Sequence, residues 1–281
     1  MNPYFTKGPT CISFSGGRTS AYMLYKVLEA HDGVLPEETF VAFANTGMEH
    51  PHTLDFVKDC GHQWNVKITW LEATSRSGTE GENHSVHGYK EVTHATASRN
   101  GEPFADLITA IGYLPTPIMR FCTSKLKIDR IKQFMRAKGY SDYAALLGLR
   151  ADEPRRAVKM HGQRNTGRDV WCPLYIDGVT KQTVSDFWQE QNFDLNLPNR
   201  NGVTDLGNCT LCHLKGRNKK ISIIRQQPDL ADWWIEQEKK VKTTFRIDHP
   251  DYATMKMIAT TQSDLFEDEE EENAIDCFCT E

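Results

Sequence analysis

The stretch SFSGGRTS, Ser13 to Ser20, constrains this chain more than any other. A short apolar run, Cys11 to Phe14, leads into it, and apolar residues at helical spacing (Tyr22, Met23, Val27, Leu28) lead out of it. That is strand, glycine turn, helix. Gly16 and Gly17 let backbone amides turn towards a ligand, the helix N-terminus adds positive potential, and Ser13, Ser15, Thr19 and Ser20 add hydroxyls. Such a nest suits a phosphate or pyrophosphate. It matches neither the G-x-x-x-x-G-K-S/T loop nor the G-x-G-x-x-G turn of other nucleotide folds. A glycine turn with a serine-rich helix cap is the alternative these residues alone leave open.

The alternation continues downstream. Thr39 to Ala44 reads as a buried strand, Thr53 to Cys60 as a helix stopped by Gly61, and Val66 to Leu71 as a third strand. Repeated strand-helix order implies an α/β fold with a doubly wound, mostly parallel sheet. From Glu72 to about Pro117 the pattern gives way to Ser, Thr, Gly, Asn and His, with only Phe104 to Ile111 helical, and a long insertion is expected. Regularity returns as a helix at Ser124 to Lys138, a strand at Tyr143 to Leu149, and a strand and helix over Val170 to Gln191. The expected organisation is a nucleotide-binding domain over 1–200 with its insertion at 72–117, a smaller helical, cysteine-bearing region over 201–262, and an acidic tail over 263–281.

SGGRTS fits the PP-loop signature S-G-G-x-x-S. FANTGMEHPHTLDFV from Phe43, RFCTSKLKI from Arg120, LLGLRADEPRR from Leu146, PLYIDGVTKQTVSDFW from Pro173 and GNCTLCHLKGR from Gly207 follow it. In content and order these segments resemble the phosphoadenosine-phosphosulfate (PAPS) reductase-like branch of the PP-loop ATP pyrophosphatase superfamily. The resemblance implies that Ser13, Ser15, Gly16, Gly17, Arg18, Thr19 and Ser20 grip the phosphates of ATP, PAPS or adenosine phosphosulfate (APS). It implies that Asn45, Thr46, Gly47 and Glu49 line the nucleotide, that Lys125 and Arg155 face anionic groups, and that Arg120 and Arg150 act on the reacting phosphate or sulfate. Guanidinium forks suit that task, because they bind such oxyanions bidentately. Many relatives carry Lys-Asp within the loop where this chain has Arg18 and Thr19, so Arg18 keeps a positive charge, and magnesium stays a candidate cofactor without that loop carboxylate.

The chain has 281 residues and eight cysteines, and its first residues lack the apolar core of a secretory signal. A reducing, cytoplasmic setting is expected, in which metal binding or thiol chemistry explains cysteines better than disulfides. Cys209 and Cys212 form a Cys-x-x-Cys turn, and with Cys122 and Cys172 they make a candidate four-thiolate set. Zinc and a 4Fe-4S cluster both accept such a set, and the resemblance favours iron-sulfur. Cys11 and Cys60 read as small hydrophobes. The terminal Cys277 and Cys279 are placed like the C-terminal catalytic cysteine of PAPS reductases and are candidates for a nucleophile or redox pair.

The net charge is −5, but the acidic run Asp264 to Glu272 alone carries −7 and leaves the rest at +2. No overall basic footprint advertises nucleic acid, and Lys215, Arg217, Lys219 and Lys220 form the local cluster best suited to a tRNA or DNA backbone. No apolar run is long enough to span a bilayer, so no membrane partner is expected. The resemblance implies ATP-dependent adenylylation of an acceptor followed by iron-sulfur-dependent sulfur transfer, with a sulfur donor or thiol carrier as partner. The alternatives are reduction of PAPS or APS to sulfite, or a nucleotide-binding regulator with a structural metal.

Overall fold

Three apolar runs rich in β-branched and aromatic residues form the centre of a sheet buried on both faces, as parallel strands require. The computed structural model describes residues 2–76, 85–165, 167–199 and 204–261. In it, β1 (Thr10–Phe14), β2 (Thr39–Asn45), β3 (Ile68–Arg76), β4 (Ser85–Val92), β5 (Tyr143–Leu146), β6 (Arg164–Asn165) and β7 (Arg168–Trp171) form one sheet in the order β4-β3-β2-β1-β5-β7-β6. Every pairing from β3 through β7 is parallel, and the edge strands β4 and β6 are antiparallel to their neighbours. The chain builds outward from β1 to β2 to β3 and then returns to place β5 on the other side of β1. A crevice at the carboxyl ends of β1 and β5 is therefore the point where strand order reverses, the place where open α/β sheets bind ligands.

Helices cover both faces. They include α1 (Arg18–Ala30), α2 (Pro51–Gln63), α3 (Glu102–Ile111), α4 (Asp129–Ala137), α5 (Pro154–Met160), α6 (Pro173–Ile176) and α7 (Lys181–Gln189). In α2, Leu54, Phe56, Val57 and Cys60 are sealed into the main core, each such large apolar side chain contributing roughly 1.5–3 kcal/mol. That burial holds the helix behind the Gly16 turn, where Thr53 meets it.

The region expected to be an irregular insertion begins instead with regular structure. β3 runs on to Arg76, and β4 returns beside it with a bulge at Thr74/Ser75. The sequence of β4, SVHGYKEV, hides the strand because an edge strand needs few apolar residues. Gly88 is required there, since a Cβ would lie 2.6 Å from Thr74 Oγ1. The expected helix from Ser124 divides into a π-helical turn, Thr123–Ile128, and α4.

The C-terminal part is helical: α8 (Arg217–Gln226), α9 (Asp232–Val241) and α10 (Tyr252–Thr261), the last lying beyond the expected end near Thr243. Trp234 stacks on Tyr252 at 5.1 Å and belongs to the main core, so it is a packing residue. Among the described residues no helix is long and apolar enough to cross a membrane.

Candidate nucleotide site

β1 delivers the chain to Ser15, and Gly16 turns it with φ at 81°. Only glycine fits: a Cβ there would lie 2.7 Å from Thr53 Cγ2. Gly17 begins α1 with no side-chain cap, and the first turn carries no acidic residue. The helix end thus keeps unsatisfied amides and an uncompensated positive potential facing a cleft. Ser20 is fully buried, and its hydroxyl is used within the loop, receiving Ser15 Oγ at 2.9 Å and donating to Gly17 O at 2.9 Å. Gly148 backs directly onto Ser20, where a Cβ would be 3.2 Å from its Cα.

The cleft is lined by Ser15 to Thr19 and Thr53 on one side, by Arg150, Lys181 and Ser185 on another, and by Leu195, Thr204, Gly207 and Asn208 on a third. Arg150 Nη1 donates to Thr19 Oγ1 at 3.1 Å, which fixes its guanidinium against the loop. Asp152 braces this side of the cleft twice. Its Oδ1 accepts from Arg150 Nε at 2.9 Å and its Oδ2 from the Lys181 amide at 3.0 Å. Its carboxyl lies below the usual carboxylate range; burial works against this, while the Lys181 amide and the Arg150 charge produce it. Glu153 also receives Arg150, at 3.4 Å. Lys181 is absent from the residues that sequence reasoning selects, and only Asp152 and the capping box of Thr180 with Thr183 bring it here.

Arg18 lines the same cleft, but its guanidinium is taken by Asp194, with Nε to Oδ1 at 2.7 Å. Of the other expected anion-facing residues, Lys125 pairs with Asp129 at 3.0 Å on an exposed face, and Arg155 is exposed on α5. Arg120 donates from Nε to Pro117 O at 2.8 Å and adds its charge near the buried His213.

Beside the cleft, an open-sided groove crosses the switch point. Its lining includes Ser13, Phe14, Ser15 and Ala44 from strand ends, Thr123, Lys127, Ile128 and Ile131 from the π turn and α4, and Leu147, Met160 and Arg168. A mostly apolar groove next to the uncapped start of α1, at the switch point, is where an open α/β sheet would seat a nucleoside.

The segment after β2 forms the adjoining wall. Asn45 is fully buried and donates to Glu72 Oε1 at 2.7 Å and Ser98 O at 2.9 Å, so it braces the wall and does not face the groove. Gly47 closes against Gly101, whose amide donates to Gly47 O at 2.9 Å. Glu49 receives both the amide and the hydroxyl of Thr46 at 2.8–2.9 Å and faces Lys127 at 3.6 Å.

The cysteine loop lies behind that wall. Glu49 pairs through its backbone with Cys209, Thr46 Oγ1 is 3.4 Å from Cys209 Sγ, and the Cys212 amide donates to Cys209 O at 3.1 Å. Cys209, Cys212 and Cys122 are half-buried. Cys172 is not beside them in the packing. It is sealed among Leu147, Leu149, Ala157 and Val170, and burial pushes its thiol up to about 12. Cys11 is likewise buried and raised to about 12, and Cys60 is raised further. Among the described residues no group of three or more His, Cys, Asp or Glu is arranged to hold a metal ion. The expected four-thiolate set is not assembled among the described residues. Cys277 and Cys279 lie outside the described residues.

The basic cluster after Cys212 is largely spent internally. Lys220 is buried and bonded to His249 Nδ1 at 2.8 Å, Lys219 meets Asp205 at 3.2 Å, and Lys215 Nζ donates to Gly207 O at 2.8 Å. It makes a weaker electrostatic footprint than its sequence promises.

Comparison with known proteins agrees with this architecture. Residues 9–213 match the phosphoadenosine phosphosulfate reductase domain. An uncharacterized nin region protein of Escherichia phage lambda is 30% identical over 212 residues, covering 74% of this chain and 67% of the phage protein. An uncharacterized protein of Methanocaldococcus jannaschii is 27% identical over 161 residues, covering 57% of this chain and only 27% of that relative. With the phosphate-type loop at the switch point and the domain matched from before β1 to beyond Cys212, the chain belongs to the phosphoadenosine phosphosulfate reductase domain family.

Proposed function

We propose that this chain binds ATP and activates an acceptor by adenylylation, so that a sulfur nucleophile can then replace the activated oxygen. The observation that carries this reading is the convergence of three anion-binding elements on one cleft: the uncapped start of α1, Arg150 and Lys181. That reach suits the pyrophosphate portion of a triphosphate better than a single phosphate.

In this reading the nucleoside lies in the groove and the β- and γ-phosphates lie in the loop cleft. An acceptor oxygen attacks the α-phosphorus, the bond from that phosphorus to the bridging oxygen breaks, and pyrophosphate leaves with charge that Arg150 and Lys181 stabilise. A hydrosulfide then attacks the acceptor carbon, the carbon-oxygen bond breaks, and AMP departs. The acceptor is a nucleic acid or a small molecule. An iron-sulfur cluster, as the family likeness implies, would supply or bind sulfur; Cys209 and Cys212 would be ligands, but the site as placed is incomplete and no step is assigned to it.

The test is to incubate the full chain with α-labelled ATP, hydrosulfide and candidate acceptors. AMP and pyrophosphate formed in equal amounts, and lost in Arg150→Ala, support adenylylation. The family match favours a second reading, reduction of PAPS or APS. Sulfite production without AMP formation from ATP, abolished in Cys277→Ser/Cys279→Ser, would establish it instead.

A further inference from the structure

Two side-chain oxygens that belong to the loop cleft, Thr53 Oγ1 and Asn208 Oδ1, are buried without a hydrogen-bond partner among the described residues. Thr53, in the first turn of α2, is 2% exposed, and its amide is bound to His50 O at 2.8 Å. Asn208 reaches the cleft from the cysteine loop, and the backbone holds it in place. Its φ is 56°, Lys215 Nζ binds the carbonyl of Gly207 before it at 2.8 Å, and Cys209 after it pairs with Glu49. A buried polar atom left unpaired is unfavourable, so two in one cleft point to a partner that the chain itself does not supply.

Phosphate oxygens cannot be that partner for Asn208, because Oδ1 is itself an acceptor. A polyphosphate brings hydrogen-bond donors with it as its complex with a hydrated divalent cation. Magnesium suits the role: bound to phosphates it keeps several waters, and those waters donate to neutral oxygens. Among the described residues that line the cleft there is no aspartate or glutamate. Thr19 stands where many relatives carry the loop aspartate, and its hydroxyl already receives Arg150 at 3.1 Å.

We infer that Thr53 and Asn208 bind the water shell of a magnesium ion that enters the cleft with the phosphates, in place of the loop carboxylate this chain lacks. The inference rests on the loop cleft being the polyphosphate site, and the metal-free measurement below separates failure of that reading from failure of the inference.

Calorimetric titration of the full chain with ATP, in excess magnesium and in EDTA, supplies the test. Wild type should bind ATP at least about tenfold more tightly with magnesium than without it. Asn208→Gly removes the side chain and suits the positive φ, and it should cut that gain by about three- to tenfold. Thr53→Val, which keeps the methyl beside Gly16, should do the same. In both variants the metal-free affinity should change less than about twofold. Asn208→Asp should keep or enlarge the gain, because a carboxylate attracts the cation and repels bare phosphate. Unliganded Thr53→Val should melt no lower than wild type, since it loses only an unpaired hydroxyl. If the gain is the same in all these proteins, or if the metal-free affinity falls as far as the magnesium affinity, Thr53 and Asn208 do not hold the metal's waters. A wild type that binds ATP equally well in magnesium and in EDTA overturns the inference alone. Absence of ATP binding in either condition overturns the loop-cleft reading with it.

Discussion

Arg18 and Asp194 form a two-pronged ion pair across 176 residues of sequence, with Arg18 Nε and Nη2 directed at the two carboxylate oxygens. Trp188 Nε1 adds a bond to Arg18 O at 3.0 Å, and the amide of Leu195, which lines the loop cleft, binds Asp194 Oδ1 at 2.7 Å. The pair therefore ties the segment after α7 to the start of α1. The side chains are 14% and 31% exposed, between the surface and buried limits. Asp194→Asn should cost about 1–3 kcal/mol, read from the urea midpoint. Arg18→Ala should cost a similar amount, and the double variant little more than either alone. Full additivity would mean that the pair is not a latch.

In the proposed reading, Arg150, held against Thr19, and Lys181 make the phosphate contacts. Replacing either by alanine should weaken ATP binding roughly 10–100-fold, the range for charge-assisted hydrogen bonds. AMP, which cannot reach the same depth of the cleft, should lose less than about threefold in Lys181→Ala. Equal losses for ATP and AMP would remove Lys181 from the pyrophosphate.

Asp152 is a positioning residue in this scheme, which is why Lys181 escapes sequence reading. Its place depends on a bond to a carboxylate 29 residues earlier, and nothing in the letters TKQTV signals that. The loop is legible because strand, glycine and helix are contiguous and the chemistry is in the backbone. Asn45 shows the converse. It sits beside the correct wall, but its side chain turns to Glu72 and Ser98 on partners the sequence places in an irregular insertion. Cys172 is read by residue type alone, and its side chain is sealed among aliphatic neighbours away from Cys209 and Cys212.

Gly16→Ala tests the loop backbone directly. The new Cβ would meet Thr53 Cγ2 at 2.7 Å with φ at 81°, so strain and collision act together. A loss of roughly 1–3 kcal/mol in unfolding free energy is expected, accompanied by loss of ATP binding. Trimming Thr53 to Ala in the same chain should recover part of the stability by removing the collision while leaving the backbone strain. Retention of wild-type ATP affinity in Gly16→Ala would show that the amides of this turn do not hold phosphate.

The C-terminal helices carry an acid-sensitive contact of their own. His249 is buried and accepts the Lys220 ammonium at Nδ1, 2.8 Å away. Burial first, and then the charges of Lys220 and Arg246, lower its pKa to about 4. A histidine lowered in the folded state takes up its proton more readily when unfolded. Its contribution to stability is therefore complete above the ordinary value near 6.5 and is lost as pH falls from there through about 4. Urea midpoints measured from pH 7 down to pH 4.5 should decline in wild type. In His249→Asn, which keeps an acceptor but cannot take up a proton, the decline should be shallower by up to about one proton's worth of slope. Parallel curves for the two proteins would show that His249 is not held neutral, and the Lys220 contact would then have to be explained by another acceptor.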